Sequence, residues 1–308
     1  MEREEFIALI KLGRIHLVMI TLLFYTLGST LAVIGGYGFD LGRFLFGLGI
    51  ATAAILSMSY SNNYYDAEAD QYNTPTPFSG GNIKLWQNKH LHRLLKPVAL
   101  FFMSLSLIFT IIVITIYSFP LEFLLYVIAG NLLAWYYAAP PLKFAYRGFG
   151  EVIAIITAGL MLPGFGYFIL AKTLDLLFLL FSLPLMLYIL IFILNAEIPD
   201  VESDRKGKKK NLIIRTNPHY GLQIASLCGV IVVLYSLMLS FAHMLTVAID
   251  FNIIALLSLL PCTVVIISII PWFERRFGTL RLVMNNLTAV VLDVLFTNVY
   301  FLALVLFR

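Results

Sequence analysis

The chain has 308 residues, of which 60% are hydrophobic and only 12% are charged, with a formal net charge of +4. Soluble globular domains carry about 25% charged residues, so this composition excludes a water-soluble domain, and lipid is the expected solvent for most of the chain. The sequence contains no nucleotide-binding, haem-binding or nucleic-acid-binding motif, and Cys228 and Cys262 have no metal-ligand spacing.

Long apolar segments predict an all-α, polytopic membrane protein with a single transmembrane domain over residues 1–308. A helix needs about 20 apolar residues to cross the hydrocarbon core, and it satisfies its backbone hydrogen bonds internally. By this criterion we predict nine spans, at residues 14–37, 41–61, 97–118, 121–141, 150–171, 174–196, 219–242, 246–270 and 285–307.

The connecting loops indicate an internal pseudo-repeat of four helices. An acidic loop follows the second and the sixth predicted spans, and a basic loop follows the fourth and the eighth. The segment Arg147-Gly148-Phe149-Gly150 weakly resembles Arg276-Phe277-Gly278. A duplicated four-helix unit with one extra helix predicts this order.

Positive charge is distributed unequally between the two sides of the predicted topology. All but three of the 21 Lys and Arg residues fall on the side of the N-terminus, the exceptions being Arg43, Lys172 and Arg308. Because cytoplasmic loops are enriched in Lys and Arg, we predict a cell-membrane protein with a cytoplasmic N-terminus and an external C-terminus. The longer and more polar loops lie on the cytoplasmic side, where we expect the functional site.

The first acidic motif follows the second predicted span. Asn62, Asp66 and Asp70 are spaced i, i+4, i+8. On a continuing helix, residues at this spacing lie on one face. The sequence therefore predicts an amide and two carboxylates directed to the same side.

The second acidic motif follows the sixth predicted span. Glu197, Asp200 and Asp204 are spaced i, i+3, i+7, so they are also predicted to share one helical face. Carboxylates this dense repel one another, and ionised groups near a membrane are costly, so a cation must compensate. One such cluster is also typical of a solvated helix end, whereas two at matched spacing favour a site for Mg²⁺ ions and a diphosphate.

The two motifs resemble the paired acidic signatures of the UbiA superfamily of intramembrane prenyltransferases, in its menaquinone-type or archaeal-lipid-type branch. The resemblance covers nearly the whole chain, and nine helices match the family fold. The matching segments are Lys11–His16, Asn62–Asp70, Tyr136–Glu151 and Asn195–Lys208.

The resemblance implies a role for each matching residue. The carboxylates implied to hold Mg²⁺ and, through it, an isoprenyl diphosphate are those of Asp66, Asp70, Asp200 and Asp204. Tyr137 would lie near the reacting allylic carbon, and together these residues are the predicted catalytic group. The residues implied to bind the diphosphate are Asn62, Lys143, Arg147, Arg14 and Lys84.

The segment after the first motif departs from the family pattern. Many members carry an Arg there, whereas this chain has none between Asn73 and Gly81. Either Lys84 substitutes for it, or the site uses fewer cations. The stretch Ser79-Gly80-Gly81 resembles the menaquinone-type branch.

The function that the resemblance implies is transfer of an isoprenyl group from an isoprenyl diphosphate to a lipophilic acceptor within the membrane. An aromatic quinone precursor is the favoured acceptor, and a prenylated glycerol phosphate is the alternative. A secondary transporter is the alternative from another class, disfavoured because the ionisable groups cluster at predicted helix ends. No nucleic-acid partner is expected, and the prenyl length and the oligomeric state stay open.

Other polar residues allow two interpretations each. The basic run Arg205–Lys210 contacts either lipid headgroups or substrate. His90 and His92 are either general bases or ordinary loop residues. Asp293 and Asn298 lie in the last predicted span, where polar side chains usually face the bundle interior, so we predict structural hydrogen bonds for them.

Overall fold

The computed structural model describes residues 3–72, 85, 88–242, 248–274 and 279–307, and within these ranges the regular structure is entirely helical. In chain order the elements are α1 (Arg3–Leu12), α2 (Ile15–Ile34), α3 (Leu41–Tyr65), α4 (Ala67–Asp70), α5 (Lys89–Tyr117), α6 (Leu121–Tyr136), α7 (Phe144–Arg147), α8 (Gly150–Ala154), a π-helical segment (Ile155–Met161), α9 (Leu162–Ala171), α10 (Leu176–Glu197), α11 (Val201–Lys206), α12 (Leu212–Arg215), α13 (Pro218–Ala242), α14 (Phe251–Glu274) and α15 (Thr279–Leu306).

Eight helical stretches within the described ranges are long and apolar enough to cross a membrane, which confirms an all-α, multi-pass membrane protein. They are Glu5–Ile34, Leu41–Tyr65, Lys89–Tyr117, Gly150–Ala171, Leu176–Glu197, Pro218–Phe241, Phe251–Ile270 and Leu280–Leu306. The ninth predicted span, at 121–141, contains the shorter apolar helix Leu121–Tyr136. That helix ends before Pro140 and Pro141, whose rings cannot continue a helix.

Four predicted helix starts differ from the structure by more than two residues. The last two spans were predicted to start at residues 246 and 285, but α14 begins at Phe251 and α15 begins at Thr279. The first span was predicted to start at residue 14, but the helix α1 precedes it. The helical conformation is interrupted at Gly13 and Arg14, and Arg14 has a φ of 52°. The third was predicted to start at residue 97, but α5 begins at Lys89. Asn88 caps α5 by accepting a hydrogen bond from the Leu91 amide (2.9 Å). The polar first turns of α1 and α5 extend the helical structure beyond the apolar segments from which the spans were predicted.

The chain divides into two compact units, and the first contains both acidic motifs. In this unit α3 packs along α5, and α6 packs against both. Leu12, Tyr60 and Leu95 belong to a buried cluster there, and the Tyr60 hydroxyl donates to the Leu9 carbonyl (3.1 Å). This packing fixes the end of α3, from which the first motif continues. The unit comprises Met1–Leu22, Leu41–Ile153 and Asp200–Asn211.

The second unit is built around α10, which packs against α13 and α15, with α14 against the same two helices. Gly28 and Gly166 allow α2 and α9 to meet at backbone distance, because an added Cβ at either would overlap a carbonyl of the other helix. Ser29 Oγ donates to the Gly166 carbonyl at the same contact (2.9 Å). This unit comprises Leu23–Asp40, Ala154–Pro199 and Leu212–Arg308. The single domain and the four-helix pseudo-repeat stay predictions.

Candidate active site

The first acidic motif continues α3 with its helical hydrogen bonding intact. α3 ends at Tyr65, and α4 begins at Ala67. Across the bend at Asp66, the Asp66 amide donates to the Asn62 carbonyl and the Asp70 amide donates to the Asp66 carbonyl, each at 2.8 Å. Asn62, Asp66 and Asp70 therefore follow one another along one side of the chain, and all three are buried.

The second acidic motif is not one continuous helix, so the prediction of a shared helical face for Glu197, Asp200 and Asp204 is wrong. α10 ends at Glu197, and a turn through Pro199 separates it from α11. Pro199 has no amide hydrogen with which to extend α10. Asp200 and Asp204 remain one helical turn apart, because the Asp204 amide donates to the Asp200 carbonyl (2.8 Å).

The two motifs meet in the first unit, where α4 contacts α11. Gly207 permits this approach, because a Cβ added to it would lie 2.6 Å from Ala69 Cβ. The contact brings carboxylates that are far apart in sequence to one place.

Three of these carboxylates surround one ammonium group. Lys209 Nζ lies 3.3 Å from Asp204 Oδ1, 3.7 Å from Asp66 Oδ2 and 3.9 Å from Asp70 Oδ1. The Lys209 side chain is 17% exposed, and the carboxylates are less exposed still. Charges are weakly screened at such a site, so the attraction among these groups is stronger than in a surface ion pair.

Two further side chains orient the carboxylates. The Tyr146 hydroxyl donates to Asp66 Oδ1 at 2.7 Å. Asn211 Nδ2 donates to Asp204 Oδ2 at 2.9 Å. Sequence reasoning assigned no site role to Tyr146 or Asn211, and it considered Lys209 only as one member of a basic run that contacts lipid headgroups or substrate. The sequence features that point to this part of the site are a tyrosine in the matching loop and a run of lysines after Asp204, and neither feature identifies a single residue.

Burial controls the protonation of this cluster. Burial raises the pKa of Asp200 to about 7, with the Asp204 carboxylate adding to the effect and Lys209 opposing it. Burial raises the pKa of Asp70 to about 6, against the attraction of Lys209. The pKa of Asp204 is also raised by burial. Burial lowers the pKa of Lys209, but the surrounding carboxylates outweigh it and raise that pKa well above its usual value.

Two of the predicted diphosphate-binding residues, Asn62 and Arg14, belong to the same unit as the cluster. Asn62 Oδ1 is buried and has no hydrogen-bond partner among the described residues. Arg14 Nη2 donates to Asn63 Oδ1 at 3.4 Å, and the charge of Arg14 lowers the pKa of Asp70 and Asp200 against the effect of burial. The charge of Arg14 can therefore attract an anion bound beside the carboxylates, whereas the partnerless oxygen of Asn62 is an acceptor that suits a cation.

The loop after α6 holds the other predicted residues. Lys143 Nζ lies over the Tyr146 ring, 5.0 Å from its centroid. Arg147 Nη2 donates to the Pro141 carbonyl (2.8 Å) and is exposed. A Cβ added to Gly150 would lie 3.3 Å from the Tyr137 hydroxyl, and the Tyr146 hydroxyl contacts the first acidic motif through Asp66. Lys84 lies outside the described residues.

His90 and His92 were predicted to lie in a loop, but they belong to the first turn of α5, and both contact groups other than the carboxylate cluster. His90 Nδ1 lies 3.1 Å from Glu5 Oε1. His92 stacks on the Tyr64 ring with centroids 4.6 Å apart, and its Nε2 lies 2.9 Å from the Tyr64 carbonyl oxygen. These contacts favour structural roles, for His90 beside α1 and for His92 at the end of α3.

The donor chemistry of the cluster fits a hard divalent cation, but the present arrangement holds an ammonium instead. Carboxylate and amide oxygens are the ligands that Mg²⁺ prefers, and the partnerless oxygen of Asn62 is one of them. Within the described ranges, no three acidic, His or Cys side chains are gathered closely enough to share one metal ion. The Lys209 ammonium lies between the carboxylates.

Solved structures share this fold. A UbiA homolog from Archaeoglobus fulgidus bound to DMAPP and Mg²⁺ is 16% identical, with a TM-score of 0.67 over 96% of this chain and 98% of that chain. A solved structure described as digeranylgeranylglyceryl phosphate synthase in membranes is 17% identical, with a TM-score of 0.62 over 96% of this chain and 98% of that chain. At this identity the similarity concerns the fold alone.

Sequence comparison identifies the family. A 1,4-dihydroxy-2-naphthoate octaprenyltransferase from Bacillus subtilis is 30% identical over 87 residues, which is 28% of this chain and 28% of that protein. The match thus spans about a quarter of the relative. The sequence pattern of the UbiA prenyltransferase family matches residues 21–280, which includes both acidic motifs. The chain therefore belongs to the UbiA prenyltransferase family.

Proposed function

We propose that the protein is a Mg²⁺-dependent intramembrane enzyme that transfers an isoprenyl group from an isoprenyl diphosphate to an aromatic quinone precursor. The observation that carries the proposal is the meeting of two acidic motifs around one cationic position. Asp66 and Asp204 are far apart in sequence, yet both lie within 4 Å of Lys209 Nζ. Buried carboxylates at this density need cationic partners. Metal ions that bind together with a diphosphate would supply these cations, and the diphosphate would in turn be held at the carboxylates through the metal.

The donor half of the site is assigned from the cluster. Asp66, Asp70, Asp200 and Asp204 would hold Mg²⁺, which when bound supplies positive charge to the diphosphate leaving group. Asn62 would offer its partnerless oxygen to the metal shell. The side chains that would bind phosphate oxygens are the cations Arg14, Lys143 and Arg147, with Lys84 as a further candidate.

Transfer requires heterolysis of the allylic C–O bond. The electron pair of that bond leaves with the diphosphate, so cationic side chains that neutralise the developing charge lower the barrier. The allylic cation then takes an electron pair from an aromatic carbon, which loses its proton. Water must be excluded during this step, and Tyr137 is proposed to lie beside the cation, where an aromatic face stabilises positive charge.

The donor site is tested by calorimetric binding of geranylgeranyl diphosphate to the purified protein, with Mg²⁺ and with EDTA. We expect metal-dependent binding that falls at least tenfold in Asp70→Asn and in Asp204→Asn, because each loses a charge that attracts the metal. Matched controls are Glu68→Gln and Glu202→Gln, which remove exposed carboxylates from the same two motifs. Equal binding by all four variants would refute the donor site.

The acceptor is proposed from the local match to the naphthoate octaprenyltransferase, and a prenylated glycerol phosphate is the alternative. Product analysis after incubation with both acceptors in competition separates them. A prenylated naphthoate is the expected product. If the product is a doubly prenylated glycerol phosphate instead, the proposed prenyl transfer stands and the proposed acceptor changes to the glycerol phosphate. Metal-independent solute uptake by proteoliposomes, without consumption of diphosphate, would favour a transporter.

The site is proposed to face the cytoplasm. The basic segment that contains Lys209 belongs to the set of Lys- and Arg-rich loops that the charge rule assigns to that side. A water-soluble diphosphate headgroup made in the cytoplasm would then reach the carboxylates without crossing the bilayer.

A further inference from the structure

Lys209 is held at the centre of the carboxylate cluster by its backbone. Lys208 has a φ of 62°, an uncommon value for a residue other than glycine, and it turns the chain back after α11. The Lys209 amide then donates to the Asp204 carbonyl (3.0 Å), and the Lys210 amide donates to the Ala145 carbonyl (3.3 Å). The neighbouring lysines 206, 208 and 210 are exposed. The fold therefore selects one lysine of the run and directs it inward.

The position of the ammonium conflicts with a metal shared by the same carboxylates. Mg²⁺ binds oxygen at about 2.0–2.1 Å, which requires the carboxylates to close around the ion. Lys209 Nζ keeps three of them at 3.3–3.9 Å from a common point. A second cation at that point would be repelled by the first, because charges at a buried site are weakly screened. The ammonium and the metal ion cannot occupy the centre together.

We propose that Lys209 is a built-in counter-cation that occupies the carboxylate cluster until the metal and the diphosphate arrive together. This inference rests on the proposed function and adds Lys209 to the residues of that site. In the metal-free enzyme, the ammonium offsets the repulsion among Asp66, Asp70 and Asp204. The flexible four-carbon stem of lysine lets the ammonium leave the carboxylates and bind phosphate oxygens when a diphosphate enters.

Coupled binding of metal and diphosphate follows from this exchange. Metal alone must displace Lys209 without offering the ammonium a new partner, so it binds weakly. Diphosphate supplies that partner, so it strengthens metal binding, and the coupling is reciprocal. The cluster thereby stays compact without substrate and does not retain a metal ion that has no diphosphate to act on.

The test compares wild type, Lys209→Met and Lys206→Met by Mn²⁺ binding, followed by electron paramagnetic resonance. Mn²⁺ is a spectroscopic substitute for Mg²⁺, and Met keeps the unbranched shape of Lys without its charge. Lys206 is an exposed lysine of the same segment and is the matched control. Titrations are run with Mn²⁺ alone and with an unreactive geranyl thiolodiphosphate, whose own affinity for Mn²⁺ is measured without protein.

We expect Lys209→Met to bind Mn²⁺ alone roughly tenfold or more tightly than wild type, within the usual range of couplings between sites. The thiolodiphosphate is expected to strengthen Mn²⁺ binding in wild type and in Lys206→Met, and to do so much less in Lys209→Met. Equal Mn²⁺ affinity of wild type and Lys209→Met, with equal strengthening by the analogue, would overturn the role of Lys209 and leave the donor site standing. Folded protein that binds neither Mn²⁺ nor the analogue would overturn the proposed function instead.

A measurement on the wild-type protein covers the case in which Lys209→Met does not fold. Amine acetylation followed by peptide mass spectrometry reports how accessible each lysine is. Saturating Mn²⁺ without diphosphate is expected to increase acetylation of Lys209 and to leave Lys206 unchanged. Protection of Lys209 that is the same with and without bound Mn²⁺ would contradict the exchange.

Discussion

At the residue scale, Gly207 is the position at which the two acidic motifs touch. A Cβ at this residue would lie 2.6 Å from Ala69 Cβ and 3.2 Å from Ala69 Cα. We expect Gly207→Ala to push α4 and α11 apart, to cost about 1–3 kcal/mol of stability, as overpacking usually does, and to weaken metal-dependent diphosphate binding. Thermal unfolding and calorimetry measure the two effects.

A second substitution tests whether reduced binding in Gly207→Ala comes from the overlap with Ala69 or from a general loss of folding. Ala69→Gly removes the opposing Cβ, so the double variant is expected to recover much of the lost binding. Gly38→Ala is the neutral control, because a Cβ there meets nothing within 4 Å. A Gly207→Ala protein with wild-type stability and binding would show that the motifs do not depend on this approach.

The raised pKa values of the carboxyl groups predict the pH dependence of metal binding. Burial raises the pKa of Asp200 to about 7 and that of Asp70 to about 6, and metals bind the ionised form. As the pH falls from about 8 to about 6 these groups gain protons, so the affinity for metal is expected to fall. Mn²⁺ titrations without diphosphate measure this, since the diphosphate itself titrates in the same range.

Asp200→Asn provides the matched comparison for the pH experiment. It removes the carboxyl whose pKa lies nearest to 7, so the decrease of affinity near that pH should become shallower while the decrease near pH 6 remains. An affinity that does not change between pH 8 and pH 6 in wild type would be inconsistent with the raised pKa of Asp70 and of Asp200.

At the element scale, α10, α14 and α15 are joined by buried polar contacts within the second unit. Asn286 Nδ2 donates to Asn195 Oδ1, and Ser268 Oγ donates to Asn286 Oδ1, each at 2.7 Å. The Tyr188 hydroxyl donates to Ser258 Oγ (2.8 Å) and also contacts Asp293. Asn298 Nδ2 donates to the Leu23 carbonyl at 3.1 Å. The predicted structural hydrogen bonds of Asp293 and Asn298 are thus present.

The Asn195–Asn286–Ser268 contact predicts a purely structural phenotype. Asn286→Leu leaves the Asn195 and Ser268 groups without this partner, and we expect a loss of about 0.6–2 kcal/mol, typical of hydrogen bonds between membrane helices. A lower unfolding temperature in detergent, with unchanged diphosphate binding by the folded fraction, is the expected result. Thr263→Ala serves as the control, because Thr263 on α14 is exposed and bonds only to carbonyls of its own helix in the described structure.

At the scale of the whole molecule, the charge distribution predicts which loops face the cytoplasm. Lys206→Cys places a thiol at an exposed position near the carboxylates, and Thr173→Cys places one in an exposed loop predicted to lie outside. Because the positive-inside rule sets orientation, a membrane-impermeant thiol reagent applied to intact cells should label only Thr173→Cys. Inverted vesicles should label only Lys206→Cys.

The natural cysteines do not interfere with this labelling, because Cys228 and Cys262 are both buried. The unsubstituted protein should therefore remain unlabelled from either side. Labelling of Lys206→Cys in intact cells would reverse the predicted topology and place the carboxylate site outside, where a cytoplasmic diphosphate does not reach it.

The predictions that held concern properties encoded over short stretches of chain. Apolar length predicts membrane helices, because each span must bury its backbone on its own. The spacing of Asn62, Asp66 and Asp70 predicts a common side because neighbouring turns repeat locally. Motif spacing also led to the family. The helix starts and the continuity of the second motif were predicted less well, because caps, Pro199 and packing compete with the apolar pattern at helix ends.

Only the tertiary structure decides which residues complete the site. Tyr146 meets Asp66 across 80 positions of sequence, and Lys209 is selected from a run of similar lysines by the turn at Lys208. No local pattern distinguishes these residues, since the carboxylates of the first motif that they contact are far from them in sequence. The sequence therefore determines the membrane fold and the chemistry of the two motifs, while long-range packing at Gly207 decides that the motifs meet and that an ammonium lies between them.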